Sequence, residues 1–137
     1  MSTVAAIGMQ QLNGTIKAIS CRYDGRIGDS RDESAVGNIL LRNYKKIQLN
    51  ELFKHGEVRT LGKSARYTTF MPCADESDVK DFTDQDAYAD DAQHELGADV
   101  IYLFKNGRWY VKNQSDFPQR YCIYSDKTWI MLDKFFK

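Results

Sequence analysis

Residues 100–112 read VIYLFKNGRWYVK, and this stretch decides the fold. Asn106-Gly107 separates two β-prone runs, and a two-residue hairpin loop needs φ > 0 at both central positions. Asn and Gly accept that conformation at the lowest cost, so the pair predicts a tight hairpin. The first run, VIYLFK, is apolar on both faces, as a strand inside a sheet must be. The second alternates, with Trp109 and Val111 facing one way and Arg108, Tyr110 and Lys112 the other. A hairpin with one central arm implies a sheet that continues on its far side.

The same signature opens the chain. VAAIGMQ and TIKAISCRY flank Leu12-Asn13-Gly14, a second Asn-Gly hairpin, and Asp24-Gly25 closes its second strand with another turn. Residues 26–34 (RIGDSRDES) are polar and read as a loop. Val36, Ile39, Leu40 and Tyr44 then fall on one helical face, with Ser34 as N-cap. Leu49, Leu52 and Phe53 repeat the spacing, and Gly56 sits where a helix ends. ARYTTFM (65–71) is β-prone and stops at Pro72. A helix follows from an N-cap near Thr83 to Gly97, with Tyr88, Ala92 and Leu96 as its buried stripe. RYCIY (120–124) reads as a further strand, and Trp129, Leu132 and Phe136 would share a C-terminal helix face. The order ββααβαβββ, with short connections, predicts an α+β fold: an antiparallel β-sheet with short helices packed mainly on one face. The length fits a single domain over residues 1–137.

Charge is unevenly spread. Between residues 75 and 95, Asp75, Glu76, Asp78, Asp81, Asp84, Asp86, Asp90, Asp91 and Glu95 face one base, Lys80, while the whole chain is formally neutral. An acidic segment in a neutral protein makes an electrostatic dipole that steers partners. Asp84 and Asp86 are expected in the first helical turn, where the helix dipole favours them. Asp90, Asp91 and Glu95 gain nothing there, and Asp91 with Glu95 is a like-charge i, i+4 pair.

Three cysteines, Cys21, Cys73 and Cys122, are odd in number and widely spaced, which predicts a reducing compartment and buried thiols. No signal-peptide pattern and no apolar run of membrane-spanning length occurs, so a cytoplasmic protein without a membrane partner is expected.

Three blocks, GTIKAISCRYDG, VGNILLRNY…LNELFKHGEVRTLG and AYADDAQHELGADVIYLFKNGRWYV, together resemble a widespread group of small uncharacterised proteins encoded by bacteriophages and prophages. The shared features are an aromatic-Asp-Gly turn (Tyr23-Asp24-Gly25), a helix like VGxxLxxxY and a hairpin like YLFxxGxWYV. The chain departs from the group in its charged 26–34 loop and its C-terminal tail. The resemblance implies an accessory protein acting in the bacterial host cytoplasm, and it implies no particular activity.

No nucleophile elbow, phosphate loop or paired metal-ligand spacing is present, so no cofactor, no metal and no catalytic residue is expected. His55 and His94 lie near helix ends, and both are expected to be structural. Cys21 reads as a half-buried strand thiol. Two candidate sites remain. Asp84, Asp86, Asp90, Asp91 and Glu95 form a negative face for a host protein with a basic surface, such as a nucleic-acid-binding protein whose ligand they imitate. Arg22, Tyr23, Asp24 and Arg26 form a turn able to hold a nucleotide or phosphate through guanidinium forks. A homo-oligomer built on the C-terminal aromatics is the third possibility. Direct nucleic-acid binding by Arg42, Lys45, Lys46, Arg59, Lys63 and Arg66 ranks below the acidic face, because these bases are spread among acids and match no RNA-binding motif.

Overall fold

A computed structural model describes residues 3–28, 31–113 and 129–136. In chain order the elements are β1 (Ala5–Gln10), β2 (Ile16–Cys21), α1 (Val36–Asn43), α2 (Lys46–His55), β3 (Val58–Thr60), β4 (Thr69–Phe70), β5 (Lys80–Phe82), α3 (Gln85–Leu96), β6 (Val100–Lys105), β7 (Arg108–Asn113) and β8 (Ile130–Met131). Both Asn-Gly hairpins form, β1 against β2 and β6 against β7. Asn106 and Gly107 take φ of 54° and 77°, the left-handed pair that the turn requires.

The fold is α+β. The sheet runs β4-β3-β2-β1-β6-β7-β8, with β5 also paired to β2. Two of its pairings are parallel, β1 with β6 and β2 with β3, so the sheet is mixed rather than wholly antiparallel. Tight hairpins impose antiparallel pairing only on the strands they join. β1 and β6 meet through long-range packing, which leaves direction free.

Side chains alternate across the sheet and build two cores. Ile7, Met9, Ile19, Tyr102 and Phe104 face one way and pack with Ile39, Leu40, Leu49 and Leu52 of α1 and α2. Ala6, Ile16, Ala18, Ile101 and Leu103 face the other way and pack with Tyr88 and Ala92 of α3. Two of the three helices therefore share a face, as expected, and α3 covers the opposite one. β1 and β6 are apolar on both faces, so each face needs a cover.

On the α3 side of the sheet, Gly8 leaves room for the Tyr88 ring. A Cβ on Gly8 would stand 2.7 Å from the Tyr88 ring. Tyr88 is fully buried, beside Phe82 and stacked at 6.1 Å on Trp129. Burial of a ring this size contributes about 2 kcal/mol. Its hydroxyl donates to the Tyr102 carbonyl at 2.7 Å, which satisfies the one polar atom the burial would strand.

Four expectations change. α1 has Ala35 as N-cap with no side-chain bond, because the Ser34 hydroxyl is taken by Arg26 and Asp32. Residues 65–67 form a 3-10 turn, leaving only Thr69–Phe70 as strand; the Thr68 hydroxyl bonds back to Ser64 O and holds the chain out of the ladder. The C-terminal segment is β8 followed by a 3-10 turn, so Trp129 packs with the α3-side core while Leu132 and Phe136 pack with the other. Cys21 is buried but Cys73 is exposed, and both are free thiols. RYCIY, Pro118 and Cys122 lie outside the described residues. Among the described residues, no helix is long and apolar enough to cross a membrane.

Candidate functional site

The Tyr23–Arg26 turn is held at the junction of β2, β1 and α1. Asp24 sits at φ 59°, and its carbonyl accepts from Val36 N at 2.9 Å. Arg26 O accepts from Gly37 N, so the first amides of α1 are capped by backbone rather than left for an anion. Gly25 N donates to Thr3 O, and Gly25 O accepts from the Tyr102 hydroxyl at 2.7 Å. A Cβ at Gly25 would meet Thr3 O at 2.7 Å, which is why glycine follows Asp24.

The Arg26 guanidinium is spent inside this turn. Nε and Nη2 reach the two Asp32 oxygens at 2.9 and 3.0 Å, Nη1 reaches Asp24 Oδ1 at 2.7 Å, and Nη2 also reaches Ser34 Oγ. Hydrogen bonding to Asp24 is the largest influence on Arg26 and raises its pKa further. Burial pushes the Asp32 carboxyl up, but bonds from Arg26 and Ser34 and the guanidinium charge outweigh that and leave it below the ordinary range. Arg22 is engaged elsewhere: its Nε donates to Glu57 Oε2 at 2.6 Å, an oxygen that also accepts from Ser20 Oγ. Tyr23 is 40% exposed with the Arg59 guanidinium over its ring. Cys21, next to the turn, is buried and its thiol is pushed up to about 12, chiefly by desolvation.

The acidic segment divides into two kinds of residue. Asp75 and Asp78 cap a short 3-10 turn, and Asp78 Oδ2 also accepts from Glu57 N. Asp84 is the N-cap of α3, one residue later than expected; its Oδ1 accepts from Ala87 N at 2.8 Å. Asp86, Asp90, Asp91 and Glu95 are all exposed. Among the described residues, every ion pair lies elsewhere, between Arg22 and Glu57 and between Arg26 and Asp24 or Asp32. At 1.5 Å per residue the four span about 14 Å along the helix axis, roughly one charge per 4.5 Å, somewhat wider than the ~3.4 Å axial spacing of one DNA strand. They form two i, i+4 rows, Asp86 with Asp90 and Asp91 with Glu95, that straddle the outward side of the helix.

The two predicted sites meet at one place. A polar cleft of about 370 Å³ is lined by Arg22, Glu57, Asp78, Lys80 and Glu95, so the end of the acidic row faces the flank of the turn. Asp24 and Arg26 do not line it. One exposed residue carried no earlier signal: Tyr67, read as a strand residue, is 69% exposed with the Arg66 guanidinium over its ring. No protein family, curated protein or solved structure matches this chain.

Proposed function

We propose that this chain is a phage-type, non-enzymatic accessory protein that binds, and thereby inhibits, a host defence or nucleic-acid-handling protein through the acidic face of α3. The observation that carries this reading is that Asp86, Asp90, Asp91 and Glu95 stand exposed on a helix anchored by Tyr88 and Ala92, with no ion pair among the described residues. Both rows are like-charge pairs, and Glu95 stands at the end where the dipole disfavours an acid. Local stability therefore gives no reason for the pattern, and a basic partner surface does. The spacing supports a partner whose own ligand is a polyanion. The resemblance to phage-encoded proteins supports the bacterial cytoplasm as the place of action.

The test is affinity capture from bacterial lysate at low and high salt, with the wild-type chain beside the triple variant Asp90→Asn, Asp91→Asn, Glu95→Gln. A protein held by the wild type at low salt, shed at high salt and missed by the folded variant is the expected result. Equal capture by both would remove α3 from the interface.

A further inference from the structure

We infer that the edge of the molecule formed by the β2 end, β3 and the 3-10 turn at Ala65–Tyr67 binds single-stranded nucleic acid. This goes beyond the α3 reading and rests on different residues. Two tyrosines stand out of the surface here, Tyr23 at 40% and Tyr67 at 69% exposure. Each carries a guanidinium over its ring: Arg59 at 5.6 Å from the Tyr23 centroid, and Arg66 at 5.7 Å from that of Tyr67. Tyr23 N donates to Arg59 O, and a Cβ on Gly62 would press on the Tyr67 backbone, so both tyrosines are pinned to one short segment. Gly62 is three positions after Arg59, at most about 10 Å of chain.

Charge points the same way. Arg59 and Arg66 are exposed, as is Lys63 between them, and none of the three is in an ion pair among the described residues. The acids next to it have partners of their own: Glu57 holds Arg22 and Ser20, Asp24 holds Arg26, and Asp78 accepts from the Glu57 and Asp75 amides. An edge with three uncompensated cations would suit any polyanion. Exposed rings backed by guanidinium planes add faces on which unstacked bases rest, the combination by which single strands are held without sequence preference. Duplex DNA, whose bases are already stacked, offers those rings nothing.

The test is fluorescence anisotropy with a labelled 15-nucleotide oligothymidylate, its duplex counterpart, and polyglutamate as competitor. The single strand is expected to bind more tightly than the duplex. Three phosphate contacts predict a salt slope near −2, about a twentyfold loss between 50 and 200 mM salt. Tyr67→Ala and Tyr23→Ala should each weaken binding about tenfold, while Tyr67→Phe, which keeps the ring, should not. Arg59→Ala with Arg66→Ala should weaken binding and flatten the slope. The α3 variant Asp90→Asn, Asp91→Asn, Glu95→Gln should still bind the oligonucleotide, which separates failure of this inference from failure of the α3 reading. No saturable binding at 50 mM salt would overturn the inference. So would equal affinity for duplex, unchanged binding by both Tyr→Ala variants, or polyglutamate displacing the strand as well as unlabelled strand does, since each marks an edge that reads charge alone.

Discussion

The Tyr23–Arg26 turn and helix α3 both carry charges that the sequence singles out, and the fold treats them in opposite ways. In the turn, Arg26 makes four bonds, to Asp24, Asp32 and Ser34, and the carbonyls of Asp24, Gly25 and Arg26 each accept a bond from another part of the chain. On α3, only Asp84 has such work. Charge density alone therefore does not separate a structural cluster from an interaction surface. What separates them is whether the charges already have partners.

Breaking the turn should cost most. Gly25→Ala drives a Cβ into Thr3 O and should destabilise by about 2–3 kcal/mol, read as a fall in melting temperature or as insoluble expression. Arg26→Ala leaves two part-exposed carboxylates and Ser34 without their shared donor; with solvent screening the expected loss is about 1–2 kcal/mol by denaturant titration. Asp84→Ala should cost about 1 kcal/mol, because it removes the cap while leaving the acidic rows in place. An equal cost from Asp91→Asn would erase the contrast between cap and face.

Alkaline pH sharpens the same contrast. Cys21, Tyr44 and Tyr88 all have pKa values raised by burial, Cys21 from 9.0 to about 12. The unfolded chain releases those protons at their ordinary values while the folded chain holds them. Their contribution is thus complete below about pH 9 and is lost as pH climbs toward the folded values. The melting temperature should fall over that window. A disulfide reagent at pH 8 should label exposed Cys73 quickly and buried Cys21 only on unfolding.

Much of this was legible in the sequence. Asn106-Gly107 announced its hairpin because so few residues tolerate that backbone; Asn13-Gly14 marked the other, but there only Gly14 takes positive φ, in a longer loop from Gln11 to Thr15. The helical spacings at Val36–Tyr44 and Tyr88–Ala92 located the buried faces. The parallel β1–β6 pairing was not legible, because it depends on contacts between segments far apart in the chain. Nor was the 3-10 turn at Ala65–Tyr67, where β-prone residues yield to the Thr68 bond to Ser64. At the sites, the sequence named the acids of α3 but could not show that Asp84 caps while Asp90 does not. It named Arg26 without Asp32, because a six-residue separation inside an irregular loop follows no periodic rule that would pair them.

The most direct measurement is the melting temperature of the triple variant Asp90→Asn, Asp91→Asn, Glu95→Gln against wild type at low salt. If the fold makes no use of these acids, removing both like-charge pairs should leave the temperature unchanged or raise it by about 1–3 °C, with the gain shrinking as salt is added. A fall of several degrees would mean that the acids hold the structure together, and α3 would then be an ordinary solvated helix rather than a binding face.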